Sequence, residues 1–182
     1  MGRRGRRSLK EETTFFITTT AVRFARVFAK DKYCDILIHN IKYYQDQYKF
    51  IILGYVIMPS HLHWIIEVKA ELGTISDIMR DIKKYSAWDI MEALEKDHRD
   101  DLIRLFEQES GGYLNQKRKF WMNRFDDEVI KNPEMLRTKL EYIHYNPVKE
   151  GLVKEAELYK YSSARNYILG DQSILYVDTT WC

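Results

Sequence analysis

The segment "KFIILGYVIMPSHLHWIIEV" (49–68) constrains the fold more than any other. Residues 49–58 are apolar on both alternating faces, as expected for a central strand covered on two sides. Met58-Pro59-Ser60 then reads as a turn, and residues 61–68 return as a second strand.

The flanking segments supply the rest of an α+β pattern. "TTFFITTTAV" (13–22), rich in β-branched and aromatic residues, reads as a first strand. Over 31–48, Tyr33, Leu37, Ile41 and Tyr44 recur at helical spacing. Thr74 and Asp77 form a capping box that opens a helix over about 75–95. Ile75, Ile78, Ile82 and Tyr85 share its inner face, with Arg80, Lys83 and Lys84 opposite. Residues 96–118 read as a helical excursion plus a loop, and the aromatic stretch 119–130 as a further strand. Asn132 as N-cap with Pro133 in the first turn starts a last helix, expected to end near 145 at a second Asn-Pro pair. The order predicts a mainly antiparallel sheet packed with helices, of ferredoxin-like (RRM-like) type. It divides the chain into a basic arm (1–12), a domain (13–170) and a C-terminal tail (171–182).

Composition narrows the function. With 45% apolar and 31% charged residues in 182, the chain can bury one real core. No apolar run reaches membrane-spanning length, and the charged N-terminus lacks the apolar stretch of a secretory signal. Two cysteines, Cys34 and Cys182, argue against a disulfide framework and for a reducing cytoplasm. The net charge is only +2, yet Arg3, Arg4, Arg6 and Arg7 concentrate positive charge ahead of the fold. Such an arm is either a solvated tail or a nucleic-acid contact, as is the Arg80, Lys83 and Lys84 cluster.

Chemistry enters at His61 and His63. On a strand, residues two apart share a face, so both imidazoles project together while Leu62, Trp64, Ile66 and Val68 line the other side. The pair can hold a metal ion or be two hydrogen-bonded histidines beside a turn. With no thiolate nearby, oxygen donors and open positions suit Mg²⁺ or Mn²⁺. Glu67 lies about 13 Å further along the strand, too far for direct ligation.

The second informative stretch is "LEYIHYNPVKEGLV" (140–153). With Leu136, Leu140 and Ile143 as its buried stripe, Tyr142 and Asn146 fall on one flank, about 40° and about 6 Å apart. Lys139 falls on that flank one turn earlier; Tyr145 points away and His144 lies on the other side. Tyr142 can equally be a boundary aromatic, and Asn146 a cap for a following helix.

"GYVIMPSHLHWIIE" (54–67), "IMRDIKKYSAWDI" (78–90), "FWMNRFDDEVI" (120–130) and "LEYIHYNPVKEGLV", in this order, resemble the Y1 HUH transposases of the IS200 type, closest in pattern to their REP-associated tyrosine transposase branch. The resemblance covers roughly 13–170. It implies an HUH fold, His61 and His63 as metal ligands, Tyr142 as nucleophile and Asn146 as third ligand, where insertion-sequence relatives carry glutamine. It also implies metal-dependent nicking and rejoining of single-stranded or hairpin DNA through a 5′-phosphotyrosine, by a monomer or a homodimer. A free phenol titrates near 10, so a nearby cation must stabilise the phenolate, and Lys139 is placed for that. DNA contact by both basic patches follows from the same resemblance. Two rivals stand beside it: a non-catalytic single-strand-binding module, and a zinc hydrolase that activates water.

Overall fold

The computed structural model describes residues 13–111 and 117–181. The elements, in chain order, are β1 (Thr14–Thr20), α1 (Asp31–Tyr48), β2 (Ile51–Met58), β3 (His61–Glu67), α2 (Ile75–Lys96), α3 (Asp100–Gln108), β4 (Asp126–Val129), α4 (Pro133–Lys149) and α5 (Ala164–Leu169). The arm, with Arg3, Arg4, Arg6 and Arg7, and Cys182 lie outside the described residues.

The four strands form one sheet in the order β2-β3-β1-β4, antiparallel throughout. With α1 between β1 and β2, and α2 between β3 and β4, this is the ferredoxin-like arrangement. The even-odd alternation sorts side chains onto two faces. Phe15, Ile17, Leu62, Trp64 and Ile66 turn into a core with Leu37 and Ile41 of α1 and Ile78 and Ile82 of α2. Val56, Met58 and Ile65 turn the other way, against Leu136, Leu140 and Ile143 of α4.

Helix starts are written locally. The Thr74 side chain accepts from the Asp77 N–H while the Asp77 carboxylate accepts from the Thr74 N–H. Asn132 Oδ1 accepts from the Met135 N–H at 2.8 Å, with Pro133 next in line. α4 approaches the sheet closely at Gly54, where an added Cβ would lie 2.4 Å from a Leu140 methyl.

Four expectations change. β2 is an edge strand rather than a central one, although it is buried on both faces. Its outer edge is closed by the chain beyond α4: the Ile57 N–H bonds to Tyr161 O, Ser163 N–H to Tyr55 O and Asp178 N–H to Ile52 O. This seal gives an edge strand the apolar pattern of an interior one. Leu175 and Val177 within 171–181 are buried by the same packing. Secondly, 119–130 is not one strand. Trp121 bridges to Ala21 and Asp126 pairs with Thr18, so the partner advances further than β1 does and the extra residues loop out. Thirdly, α4 does not stop near 145 but runs through Pro147 to Lys149, with Asn146 and Pro147 both buried; tertiary burial overrides the local preference to end there. Finally, Tyr85 is on the rim of α2 rather than its inner face, and Lys83 is half-buried rather than on a solvated one.

Candidate active site

Pairing with β1 fixes the histidine face. His63 stands opposite Thr18 and His61 opposite Thr20, and β1 alternation places Phe16 beside them. The two imidazole centroids are 4.6 Å apart. α4 crosses the same face, held by its Leu136, Leu140 and Ile143 stripe. The Tyr142 ring therefore stands 5.3 Å from His63, edge-on, within one chain. Phe16 stacks on His63 at 5.7 Å and meets Tyr142 at 6.0 Å, locking the angle between strand and helix. Tyr142 keeps 45% of its surface exposed.

These groups line a cleft of 330 Å³ whose walls include Thr18, Thr20, Phe24, His61, His63, Tyr142, Asn146, Lys149 and Glu150. Both Nδ1 atoms are engaged: His63 with Thr18 Oγ1 at 2.7 Å, and His61 with Ser60 Oγ at 3.1 Å. A hydroxyl can donate to Nδ1 or accept from it; where it accepts the Nδ1 proton, Nε2 carries the free lone pair that an ion needs. Burial lowers the pKa of His61 and pulls that of His63 down to about 3, with the neighbouring His61 and Lys139 charges adding to the effect on His63. Both imidazoles are therefore neutral at pH 7, the state in which they ligate metals.

An amide faces the same cleft. Among the described residues, no group of three or more His, Cys, Asp or Glu could hold an ion. Asn146, only 7% exposed, projects into the cleft, and its buried Nδ2 finds no hydrogen-bond partner. A buried N–H donor without a partner costs stability, and a cation, which takes the amide oxygen, would leave it so. Two neutral imidazoles and the amide oxygen of Asn146, facing one cleft, fit a hard divalent cation that keeps open positions.

Lys139 sits over the Phe16 ring at 4.6 Å and pairs with Glu128 at 2.6 Å, so its charge is shared. Tyr145 is exposed, and His144 turns to Ser163 Oγ at 2.8 Å on the opposite flank. Glu67 is at the far end of β3, opposite Thr14. Phe16, Thr18, Thr20, Phe24, Ser60, Lys149 and Glu150 join the site without having been singled out in the sequence. The alternation of "TFFITTT" carried the signal for the β1 residues, since Phe16, Thr18 and Thr20 share a face. The second basic patch is dispersed. Arg80 is held by Asp77 and Asp81, Lys83 Nζ donates to Met122 O at 2.8 Å, and Lys84 lies over the Tyr85 and Trp88 rings.

Residues 14–108, more than half of the chain, match the family described as "Transposase IS200 like". The chain belongs to this IS200-like transposase family. The matched span carries the histidine pair; Tyr142 and Asn146 lie beyond it, and geometry brings them to the site. The chain is also similar to a Haemophilus influenzae protein provisionally named REP-associated tyrosine transposase, at 25% identity over 118 residues. That alignment covers 65% of this chain and 61% of the relative, so the chain spans about three-fifths of the relative's length. Among solved structures, a REP-associated tyrosine transposase bound to a REP hairpin shares the fold with a TM-score of 0.66 at 23% identity. The superposition covers 99% of this chain and 94% of that one. No helix among the described residues of this IS200-like chain is long and apolar enough to cross a membrane.

Proposed function

We propose that this IS200-like protein cleaves and rejoins single-stranded DNA beside a REP-like hairpin, with Tyr142 as the nucleophile. The observation that carries the reading is the meeting, in one chain, of the Tyr142 ring and the His61–His63 pair, with Asn146 in the same cleft.

His61 and His63, through Nε2, and Asn146, through its amide oxygen, would hold Mg²⁺ or Mn²⁺. Such an ion supplies Lewis-acid charge against a phosphate oxygen of the substrate. The Tyr142 oxygen attacks phosphorus from the open side of the cleft, and its proton leaves to solvent. The P–O3′ bond breaks, the 3′ oxygen takes up a proton, and the 5′ phosphate remains on Tyr142 as a phosphodiester. Because phenolate is a better leaving group than an alkoxide, a free 3′-hydroxyl can attack the phosphotyrosine, expel the Tyr142 oxygen and reverse the step without ATP. Phe16 and His63 hold the phenol ring in place, and Lys139 contributes positive charge on its flank. All these groups come from one polypeptide, so a monomer suffices.

The test incubates the protein with labelled hairpin DNA bearing single-stranded flanks and Mn²⁺. The reading expects an adduct that survives denaturing electrophoresis and is lost with EDTA or in Tyr142→Phe. Cleavage with no adduct, unaffected by Tyr142→Phe, would instead mark a hydrolase that activates water.

A further inference from the structure

The cleft around Tyr142 is one of three that share walls. Phe24 lines it and also lines a second cleft of 490 Å³ with Arg23, Lys119, Met122 and Asn123. Met122 and Asn123 in turn line a third, of 840 Å³, between α2 and the 117–123 segment. The third cleft is within the size range of sites that enclose a small organic group such as a nucleotide.

Two largely exposed aromatic side chains stand along this path. Phe24 is 64% exposed between the first two clefts, and Trp88 is 61% exposed on the wall of the third. Phe24 and its neighbour Arg23 adopt left-handed backbone conformations, with φ of 52° and 54°. Bulky residues enter that region only where the surrounding structure holds them, and such positions cluster at binding sites. Here the hold comes from backbone bonds, Phe24 N–H to Ala21 O and Ala25 N–H to Val22 O, each 3.1 Å.

The charges along the path are unequal. The carboxylates lining the second and third clefts are already answered: Glu109 by Arg23 at 2.7 Å, Glu92 by Lys96 at 2.6 Å, and Glu95 by Arg118. Lys83, Lys84, Lys117 and Lys119 have no ion-pair partner among the described residues. Burial, with the Lys119 charge nearby, pushes Lys83 down to about 8. Lys84 hangs over the Trp88 ring at 5.0 Å. Exposed rings alternating with unpaired cations are what a flexible polyanion with stacking bases requires.

We propose that this path is a track for unpaired DNA leading away from the cleavage point, with bases stacking on Phe24 and Trp88 and phosphates on Lys83, Lys84 and Lys119. The track rests on the reading of the protein as a DNA-cleaving enzyme and gives that reading a single-strand specificity. A duplex cannot present its base faces to isolated rings, whereas an unpaired strand can.

The test uses the full chain carrying Tyr142→Phe, so that cleavage does not intrude, and a thymidine dodecamer as the probe. Trp64 and Trp121 are buried and Trp181 is partly covered, which makes Trp88 the tryptophan that a stacked base quenches. The dodecamer should quench fluorescence saturably, a duplex of equal length much less, and the quenching should vanish in Trp88→Phe. Trp88→Ala and Phe24→Ala should each weaken binding roughly five- to a hundredfold by anisotropy. Lys84→Met should reduce the salt slope of log affinity by about 0.7. Unchanged fluorescence, equal quenching by duplex, or Trp88→Ala binding as tightly as its parent would overturn the track. The two proposals fail separately. An adduct formed by the native protein while Trp88 stays silent sinks the track alone, and quenching without any adduct sinks the transposase reading alone.

Discussion

Gly54→Ala tests how the site is assembled, because Gly54 sets the distance between β2 and the helix that carries Tyr142. An alanine Cβ would lie 2.4 Å from Leu140 Cδ2, 3.7 Å from Leu140 Cγ and 3.5 Å from Ser163 Oγ. Carbon–carbon contact is comfortable from about 3.5 Å, so the Leu140 methyl must retreat by about 1 Å. Leu140 is buried between Leu136 and Ile143 in the helix–sheet contact, so it must leave its rotamer or take α4 with it. Overpacking of this kind costs about 1–3 kcal/mol. If α4 moves, Tyr142 moves with it, and about 1 Å of misplacement can cost on the order of a hundredfold in rate. Urea unfolding and the rate of adduct formation read the two effects. Leu140→Ala on its own should cost about 2–5 kcal/mol through the cavity it leaves. Combined with Gly54→Ala, it should cost less than the sum, since the added methyl fills part of that cavity. Full stability and full rate in Gly54→Ala, or strictly additive costs in the pair, would refute the close approach as the device that places Tyr142.

Thr18→Val removes the hydroxyl on His63 Nδ1 and should weaken Mn²⁺ binding about 10- to 100-fold, read by titration calorimetry without DNA. Lys139→Met should slow adduct formation, with Lys139→Arg closer to the native rate in single-turnover assays, because the charge rather than the shape is what the site uses. Lys83 has its folded pKa lowered from 10.5 to about 8 by burial. The unfolded chain then binds more protons between those values, so the cost of burying the charge is fully present below pH 8 and relieved as pH rises through the window. Urea midpoints of the native protein should therefore climb between pH 8 and 9.5 relative to those of Lys83→Met. Mixing His63→Ala with Tyr142→Phe should not restore adduct formation, since both groups of each site belong to one chain.

Local chemistry carried much of this into the sequence. The Thr74–Asp77 box and the Asn132-Pro133 pair start α2 and α4 where their side chains cap them, and period-two alternation puts His61 and His63 on one face. The α4 stripe was readable from helical spacing, and it selects Tyr142 over Tyr145 and Asn146 over His144, as the cleft does. What local pattern could not carry were the long-range decisions. Whether β2 is interior or edge depends on residues 161–178 returning to cover it. Whether Asn146-Pro147 ends a helix depends on tertiary burial, which outweighs the lost backbone bond. The Thr18 and Thr20 contributions required the β1–β3 register, and the pairing of Arg80 with Asp77 and Asp81 required side-chain directions.

The most direct measurement maps the covalent bond. After reaction with hairpin DNA and Mn²⁺, nuclease trimming and proteolysis, mass spectrometry should find a nucleotide phosphate on the peptide carrying Tyr142, and none on Tyr145. A phosphate on Tyr145 or any other tyrosine, or an adduct that persists in Tyr142→Phe, would contradict the account, because the phenol beside His63 would not be the one that attacks.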